Sequence, residues 1–187
     1  MTDYPGMTGE APRDAPLWVF AYGSLMWNPG FPFTRECKAT LFGYHRSLCV
    51  RSVVYRGTPE RPGLVLGLEP GGCCVGKAFR VADSHRESAW RYLHQRELVT
   101  DIYRPRVPRC TLGDGRQVRA LTFVVRRDHP QYSGHLQSGD AASTVAAARG
   151  CSGPNTAYVH NTVVQLAQLG ICDRRLTEIV ALLPAGP

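Results

Sequence analysis

From residue 17 the chain opens on an unbroken apolar and aromatic run, LWVFAY, which stops at Gly23-Ser24 before apolar character resumes with Leu25, Met26 and Trp27. A run without polar alternation predicts a strand covered on both faces, over Leu17–Tyr22. Lys38–Val54 mixes Leu, Phe, Tyr, Cys and Val with turn residues and predicts one or two strands. RGTPERPG, Arg56–Gly63, holds two prolines and two glycines and reads as a loop. LVLGLE and CVGKAFRV flank Pro70-Gly71-Gly72, which predicts a hairpin. A second hairpin is expected from Ile102–Leu112 and Arg116–Arg127, joined by Gly113-Asp114-Gly115.

Helical periodicity first appears after Asp83. Ser84 and Glu87 have the spacing of a capping box, ahead of a helix that runs through WRYLHQREL with Ala89, Trp90 and Leu93 on its apolar stripe. Three further helices are expected late in the chain, at Asp140–Arg149, Asn155–Leu169 and Arg174–Leu183. The second of these follows the Gly153-Pro154 turn, with Asn155 or Thr156 as its cap. Strands first and helices late, with one helix interrupting, predict an α+β fold: a mostly antiparallel sheet or small barrel with helices packed against it, and not a Rossmann alternation.

Composition narrows the function classes. With 187 residues, 43% hydrophobic and 20% charged, the chain suits one globular domain over 17–187. Residues 1–16, rich in Pro, Gly and acidic side chains and without the parts of a signal peptide, read as a flexible leader. No apolar run approaches the ~20 residues that span a bilayer, so no membrane partner and a cytoplasmic location are expected. Net charge is +7, but the arginines recur singly, as at Arg46, Arg51, Arg80 and Arg91. Without a basic run interleaved with aromatics no nucleic-acid partner is expected, whereas a small anion needs only one or two local arginines. The seven cysteines are odd in number, include the adjacent Cys73 and Cys74, and form no Cys-x-x-Cys. They read as reduced small hydrophobes, with a catalytic thiol as the alternative. The six histidines show no metal-ligand spacing.

Three places carry candidate chemistry. At Tyr22-Gly23-Ser24-Leu25, glycine permits dihedrals that point successive amides one way, and Ser24 adds a hydroxyl, so the strand end suits a ligand carboxylate. On the residues alone a tight turn or bulge in a barrel strand is the favoured reading. Glu97 lies seven residues after Trp90 and four after Leu93, on the inward face of its helix near the C-terminal end. Burial and the helix dipole there raise a carboxylate's pKa and make it a proton acceptor near neutral pH. The alternatives are an ion pair with Arg96 or Arg104, or a frayed end. Tyr158, in the first turn after SGPNTAYVHN begins, places a phenol where it can reach a site, or is part of an ordinary helix start.

These segments resemble, in order, motifs of the ChaC-like γ-glutamylcyclotransferases, the glutathione-specific branch of their superfamily. The resemblance runs from about Leu17 to about Leu183 and rests on WVFAYGSLMWNPGF, RGTPERPG, Cys74–Arg80, YLHQRE and SGPNTAYVHN. It implies cleavage of a γ-glutamyl amide without water, the substrate's own α-amino group attacking its γ-carbonyl. Glutathione would give 5-oxoproline and cysteinylglycine, with no metal or organic cofactor. By the same resemblance Glu97 is the catalytic proton carrier. The loop Val19, Phe20, Ala21, Tyr22, Gly23, Ser24 and Leu25 holds the γ-glutamyl end, with Tyr22 orienting the amine. Tyr158 contributes a hydroxyl, and Arg56 covers the cysteinylglycine end. Two departures stand out: Ala21 replaces a more usual Gly, and Glu97 is followed by LVTDIYRP where relatives carry Lys and then Gly-Tyr, with Tyr103 as a candidate replacement. Other γ-glutamyl amino acids or amines as substrates, and a non-catalytic anion-binding protein, are the competing readings. An inward carboxylate at Glu97 favours catalysis over the last.

Overall fold

The computed structural model describes residues 16–184, so the expected leader falls outside it except for Pro16. The described residues group into two compact units. The first comprises those up to Arg46 with Leu68–Val125; the second comprises Ser47–Gly67 with those from Arg126 on.

The first unit is built on a sheet. Strand β1 (Trp18–Ala21) pairs antiparallel with β3 (Gly63–Val81), Trp18 opposite Arg80 and Ala21 opposite Lys77. On its other edge β1 runs parallel to β6 (Gln117–Val125), Trp18 opposite Ala120. The order β1-β3-β2-β5-β6, with β2 (Phe33–Ser52) and β5 (Arg109–Leu112) between, therefore closes on itself as a barrel, and β4 (Tyr103–Arg106) extends it along β6. Closure leaves β1 without an edge and with both faces covered, so its four residues are all buried and the unalternated run is explained. Val19, Phe79, Leu121 and Phe123 are among the buried barrel residues, as are Trp90 and Leu93 from helix α1 (Arg86–Glu97).

Two local expectations fail here. Pro70-Gly71-Gly72 is not a hairpin turn, because it lies inside the 19-residue strand β3. Gly71 and Gly72 have φ of 102° and 70°, a left-handed conformation that glycine adopts without strain, and they bulge the strand while it stays beside β2. His45 Nδ1 meets the Gly71 carbonyl at 3.1 Å and Arg46 Nη2 donates to the Val75 carbonyl at 2.8 Å. The turn between these strands falls instead in residues 53–62, which hold Gly57, Pro59 and Pro62. The capping box does not form either. A 3₁₀ turn, Asp83–His85, precedes α1, no side chain caps the helix, and Ser84 Oγ lies 3.0 Å from His85 Nδ1. The second hairpin is as expected: Leu112 N donates to the Arg116 carbonyl at 2.8 Å across Gly113-Asp114-Gly115. β4 continues the pairing further along β6, Tyr103 opposite Val125.

The second unit packs α2 (Ser138–Ala147), α3 (Asn155–Gln168) and α4 (Arg174–Ala181), with the two-residue strands β7 (Arg149–Gly150) and β8 (Gly153–Pro154) between α2 and α3. Ala141, Val145, Val159, Leu166, Leu176 and Ile179 form its apolar interior with Leu64 and Leu66. Asn155 does not cap α3 as expected. Pro154 holds the cap position, and the Asn155 side chain, fully buried, clamps the start of β3. Its Oδ1 accepts from Leu64 N at 2.6 Å and its Nδ2 donates to the Leu64 carbonyl at 2.8 Å. Gly63 makes this approach possible, since a Cβ there would lie 2.2 Å from the Arg56 carbonyl oxygen and 2.7 Å from Asn155 Oδ1. Among the described residues no helix is long and apolar enough to cross a membrane.

Candidate active site

Strand β1 ends at Ala21, and the next residues are fixed by polar contacts to three other strands. The Tyr22 hydroxyl donates to the Phe123 carbonyl at 2.8 Å, so its ring packs inward and is buried. The Tyr22 carbonyl accepts from Arg46 Nε at 2.7 Å, while the same guanidinium reaches Val75 on β3. Gly23 then leads into a 3₁₀ turn, Ser24–Met26, closed by Met26 N donating to the Gly23 carbonyl at 2.8 Å. Gly23 has φ of −134°, so the amides are aligned by the short helical turn and not by a left-handed glycine. Leu25 and Met26 return to the core at 6% and 2% exposure, so apolar anchors flank the polar point at Ser24. The amides of Ser24 and Leu25 open the turn, where a helix supplies no internal acceptor.

Glu97 is the last residue of α1, on the stripe of Ala89, Trp90 and Leu93, all three buried. Its side chain is only 17% exposed and pairs with its neighbour, Arg96 Nε to Glu97 Oε1 at 3.2 Å. Burial raises the carboxyl pKa above the ordinary glutamate value, and the positive charge of Arg96 opposes part of that rise. The carboxylate is thus inward, and the ion pair with Arg96 that stood as its alternative is formed as well. Further down the helix, His94 Nδ1 lies 2.9 Å from the Trp90 carbonyl and its ring sits between those of Trp90 and Phe123.

Arg96 joins the two places. Its Nη2 donates to Ser24 Oγ at 2.9 Å, and its Nη1 donates to the Asn28 carbonyl at 2.7 Å and to the Tyr92 hydroxyl at 2.8 Å. One guanidinium thus carries both the turn and the carboxylate. Sequence reasoning had Arg96 only as a counter-ion and did not single out Arg46 or Tyr92. The available signal was the four-residue spacing of Tyr92 and Arg96, which puts both on one helix face. Val19, Phe20 and Ala21, expected in the substrate loop, are fully or almost fully buried strand residues at 0–1% exposure, and the Phe20 carbonyl accepts from Thr122 Oγ1.

The other two expected site residues belong to the second unit. The Tyr158 hydroxyl accepts from Leu66 N at 3.1 Å, and the Arg56 guanidinium lies 5.7 Å from the Tyr158 ring centroid. Arg56 Nη1 donates to the Ser152 carbonyl at 2.6 Å and to Pro154 at 3.3 Å. Burial lowers the pKa of this guanidinium from its ordinary value. Tyr103 lies on β4, half-buried.

The first unit also carries an open groove of about 620 Å³, lined by Trp18, Thr34, Arg35, Arg80, Arg116 and Arg119 among others. It shares no residue with the turn or with Glu97. Its arginines are largely engaged: Arg35 and Arg116 both pair with Asp114, and Arg80 pairs with Asp83.

The architecture is that of the γ-glutamyl cyclotransferases. A solved structure of a yeast γ-glutamyl cyclotransferase specific to glutathione superposes with a TM-score of 0.82, covering 91% of this chain and 96% of that one at 21% identity. A family model described as ChaC-like protein matches residues 17–185. The glutathione-specific γ-glutamylcyclotransferase of Escherichia coli (strain K12) is 38% identical over 169 residues, 90% of this chain and 73% of that one. The human glutathione-specific γ-glutamylcyclotransferase 1 is 31% identical over 170 residues, 88% and 77% of the two chains. The chain belongs to the ChaC-like family.

Proposed function

We propose that this protein cleaves glutathione by closing its γ-glutamyl group on itself, releasing 5-oxoproline and cysteinylglycine. The observation that carries the reading is the largely buried Glu97 carboxylate held beside the Ser24 turn on one guanidinium. The nucleophile is tethered to the electrophile, so the protein has to fold the chain into a five-membered ring and move protons. The α-carboxylate of the γ-glutamyl group accepts from the Ser24 hydroxyl and the amides that open its turn. Glu97 takes a proton from the α-ammonium. The freed nitrogen lone pair attacks the γ-carbonyl carbon, forming the ring C–N bond. As the original amide C–N bond breaks, the proton held by Glu97 passes to the leaving nitrogen. The ring nitrogen, which still carries two hydrogens after its attack, gives up one of them by way of the same carboxylate to become the lactam N–H, so that cysteinylglycine departs as its ammonium. No water is consumed, and the carboxylate ends as it began. A carboxylate whose pKa is raised by burial is a stronger base, which suits it to an ammonium ion.

Tyr22 orients the amine in this reading, Tyr158 supplies a hydroxyl, and Arg56 serves the cysteinylglycine end. These three assignments rest on family resemblance. The test is incubation with glutathione, following both products by mass spectrometry, with Glu97→Gln as the paired variant. Equimolar products from the parent protein, lost in the variant, are expected. Undiminished product from Glu97→Gln overturns the assignment of the proton carrier, and the absence of both products from the parent overturns the substrate.

A further inference from the structure

We propose that Arg96 is the positioning residue of this site, a single guanidinium that sets the Ser24 hydroxyl as a donor and presents one chosen oxygen of Glu97 to the substrate. The inference rests on the reading of Glu97 as proton carrier and goes beyond it.

The direction of each bond carries the argument. Arg96 has no acceptor, so at 2.9 Å it occupies a lone pair of Ser24 Oγ. The hydroxyl hydrogen is thereby directed away from Arg96, to a group that accepts, and a substrate carboxylate is such a group. At the carboxylate end, Nε engages Glu97 Oε1 at 3.2 Å, which leaves Oε2 as the oxygen that takes the proton. The fork is itself immobilised. Nη1 is held by the Asn28 carbonyl at 2.7 Å and the Tyr92 hydroxyl at 2.8 Å, and the guanidinium carbon lies 5.9 Å from the Tyr92 ring centroid. Tyr92 is in turn locked against Gly30, where a Cβ would come within 2.0 Å of the phenol oxygen. The Arg96 side chain is only 16% exposed, so little solvent competes for these bonds. A lysine ammonium is a point donor on a flexible stem and cannot span the same set of acceptors.

The charge has a second effect. The ionisable groups tied into this region are Arg96, Tyr92 and His94 on α1, Tyr22 at the end of β1 and Arg46 on β2. The hydroxyl of Tyr22 is engaged by Phe123, and Arg46 is engaged by the carbonyls of Tyr22 and Val75. Of the charges, Arg96 is the one that bears on Glu97, lowering a pKa that burial has raised. Arg96 thus sets where the acid side of the rate profile falls.

The test measures kcat and KM for glutathione between about pH 5.5 and 9 on the full chain and its Arg96→Gln, Arg96→Lys, Ser24→Ala, Ser24→Ala/Arg96→Gln and Glu97→Gln variants. Arg96→Gln should lose about 100-fold in kcat/KM, the scale of a misplaced reacting group, with its acid limb moved to higher pH. Arg96→Lys keeps the charge, so its limb should stay near that of the parent while KM rises about tenfold. Ser24→Ala should lose much less in the Arg96→Gln background than in the parent, because the hydroxyl there is no longer oriented. Parent-like kcat/KM and an unmoved limb in Arg96→Gln, with Glu97→Gln inactive, overturn the role of Arg96 alone. An active Glu97→Gln overturns the proton-carrier reading, whatever Arg96 does. If Arg96→Gln does not fold, Arg96→Lys decides, and an unchanged KM there overturns the positioning role.

Discussion

Asn155 offers a sharp test of how the second unit is held, because two readings of one side chain predict different outcomes. As a helix cap, Asn155 would be replaceable by Ser, a residue that caps as well, at a cost of a few tenths of a kcal/mol. As a clamp it is not replaceable, because Ser reaches neither the amide nor the carbonyl of Leu64 in the same geometry. Both bonds are short, 2.6 and 2.8 Å, and Asn155 is fully buried, so the backbone groups left behind have no water to turn to. Each unsatisfied buried group costs about 1–3 kcal/mol, and the pair should cost about 3 kcal/mol, allowing for some relaxation. With a urea slope of about 2 kcal/mol/M, the midpoint of Asn155→Ser should fall by about 1.5 M. Thr156→Ala, the other cap expected from sequence, should stay within about 0.5 kcal/mol of the parent. Equilibrium urea unfolding followed by far-UV circular dichroism measures both. An Asn155→Ser midpoint within about 0.3 M of the parent would refute the clamp.

The remaining expectations use titration. Because burial raises the Glu97 pKa, the native state holds a proton where the unfolded chain, titrating at about 4.3, has released it. Its stabilising contribution is complete below the unfolded value and is lost as pH rises through the native value. Glu97→Gln should therefore gain in Tm over the parent as pH is raised from about 4 to 8, and a gap that narrows over that range refutes the sign. Of the seven cysteines, Cys73, Cys151 and Cys172 are exposed and should react first with a thiol reagent at pH 8. Cys110, buried with its pKa pushed up to about 11, should react only on unfolding, and its early modification, located by peptide mapping, would refute the assignment.

What the sequence made legible was whatever a local pattern determines. β1 was visible because a strand covered on both faces needs no polar alternation, and the apolar stripe of α1 fixed which way Glu97 points. Glycine chemistry was less informative. Pro70-Gly71-Gly72 has the composition of a turn, but a bulge within a long strand uses the same left-handed glycines, and only the partner β2 decides between them. Ser84 and Glu87 had the capping spacing, yet the chain entered α1 through a 3₁₀ turn that placed His85 at the cap. Arg96 and Asn155 were missed for a common reason. Their roles depend on hydrogen-bond partners 72 and 91 residues away in sequence, and no window of local periodicity spans that distance. The inward carboxylate could be read from one helix; the guanidinium bonded both to it and to Ser24 could not.

The break in the first apolar run follows from the same physics. In the proposed function the Ser24 turn binds a carboxylate, which requires exposed polar groups that do not move, and a mobile loop would meet only the first requirement. From Leu17 to Met26 the one residue that is not buried is Ser24. Tyr22 and Met26, buried at 8% and 2%, pin it on either side, and Arg46 and Arg96 brace its backbone and its hydroxyl. For a reaction whose nucleophile is already attached to its electrophile, the barrier left to the protein is largely one of conformation and proton position. That barrier responds to small errors in angle more than to added functional groups. On the proposed reading one carboxylate and a well-fixed turn therefore suffice, and interruption of the strand by two small residues is the least disturbance to the barrel that provides them.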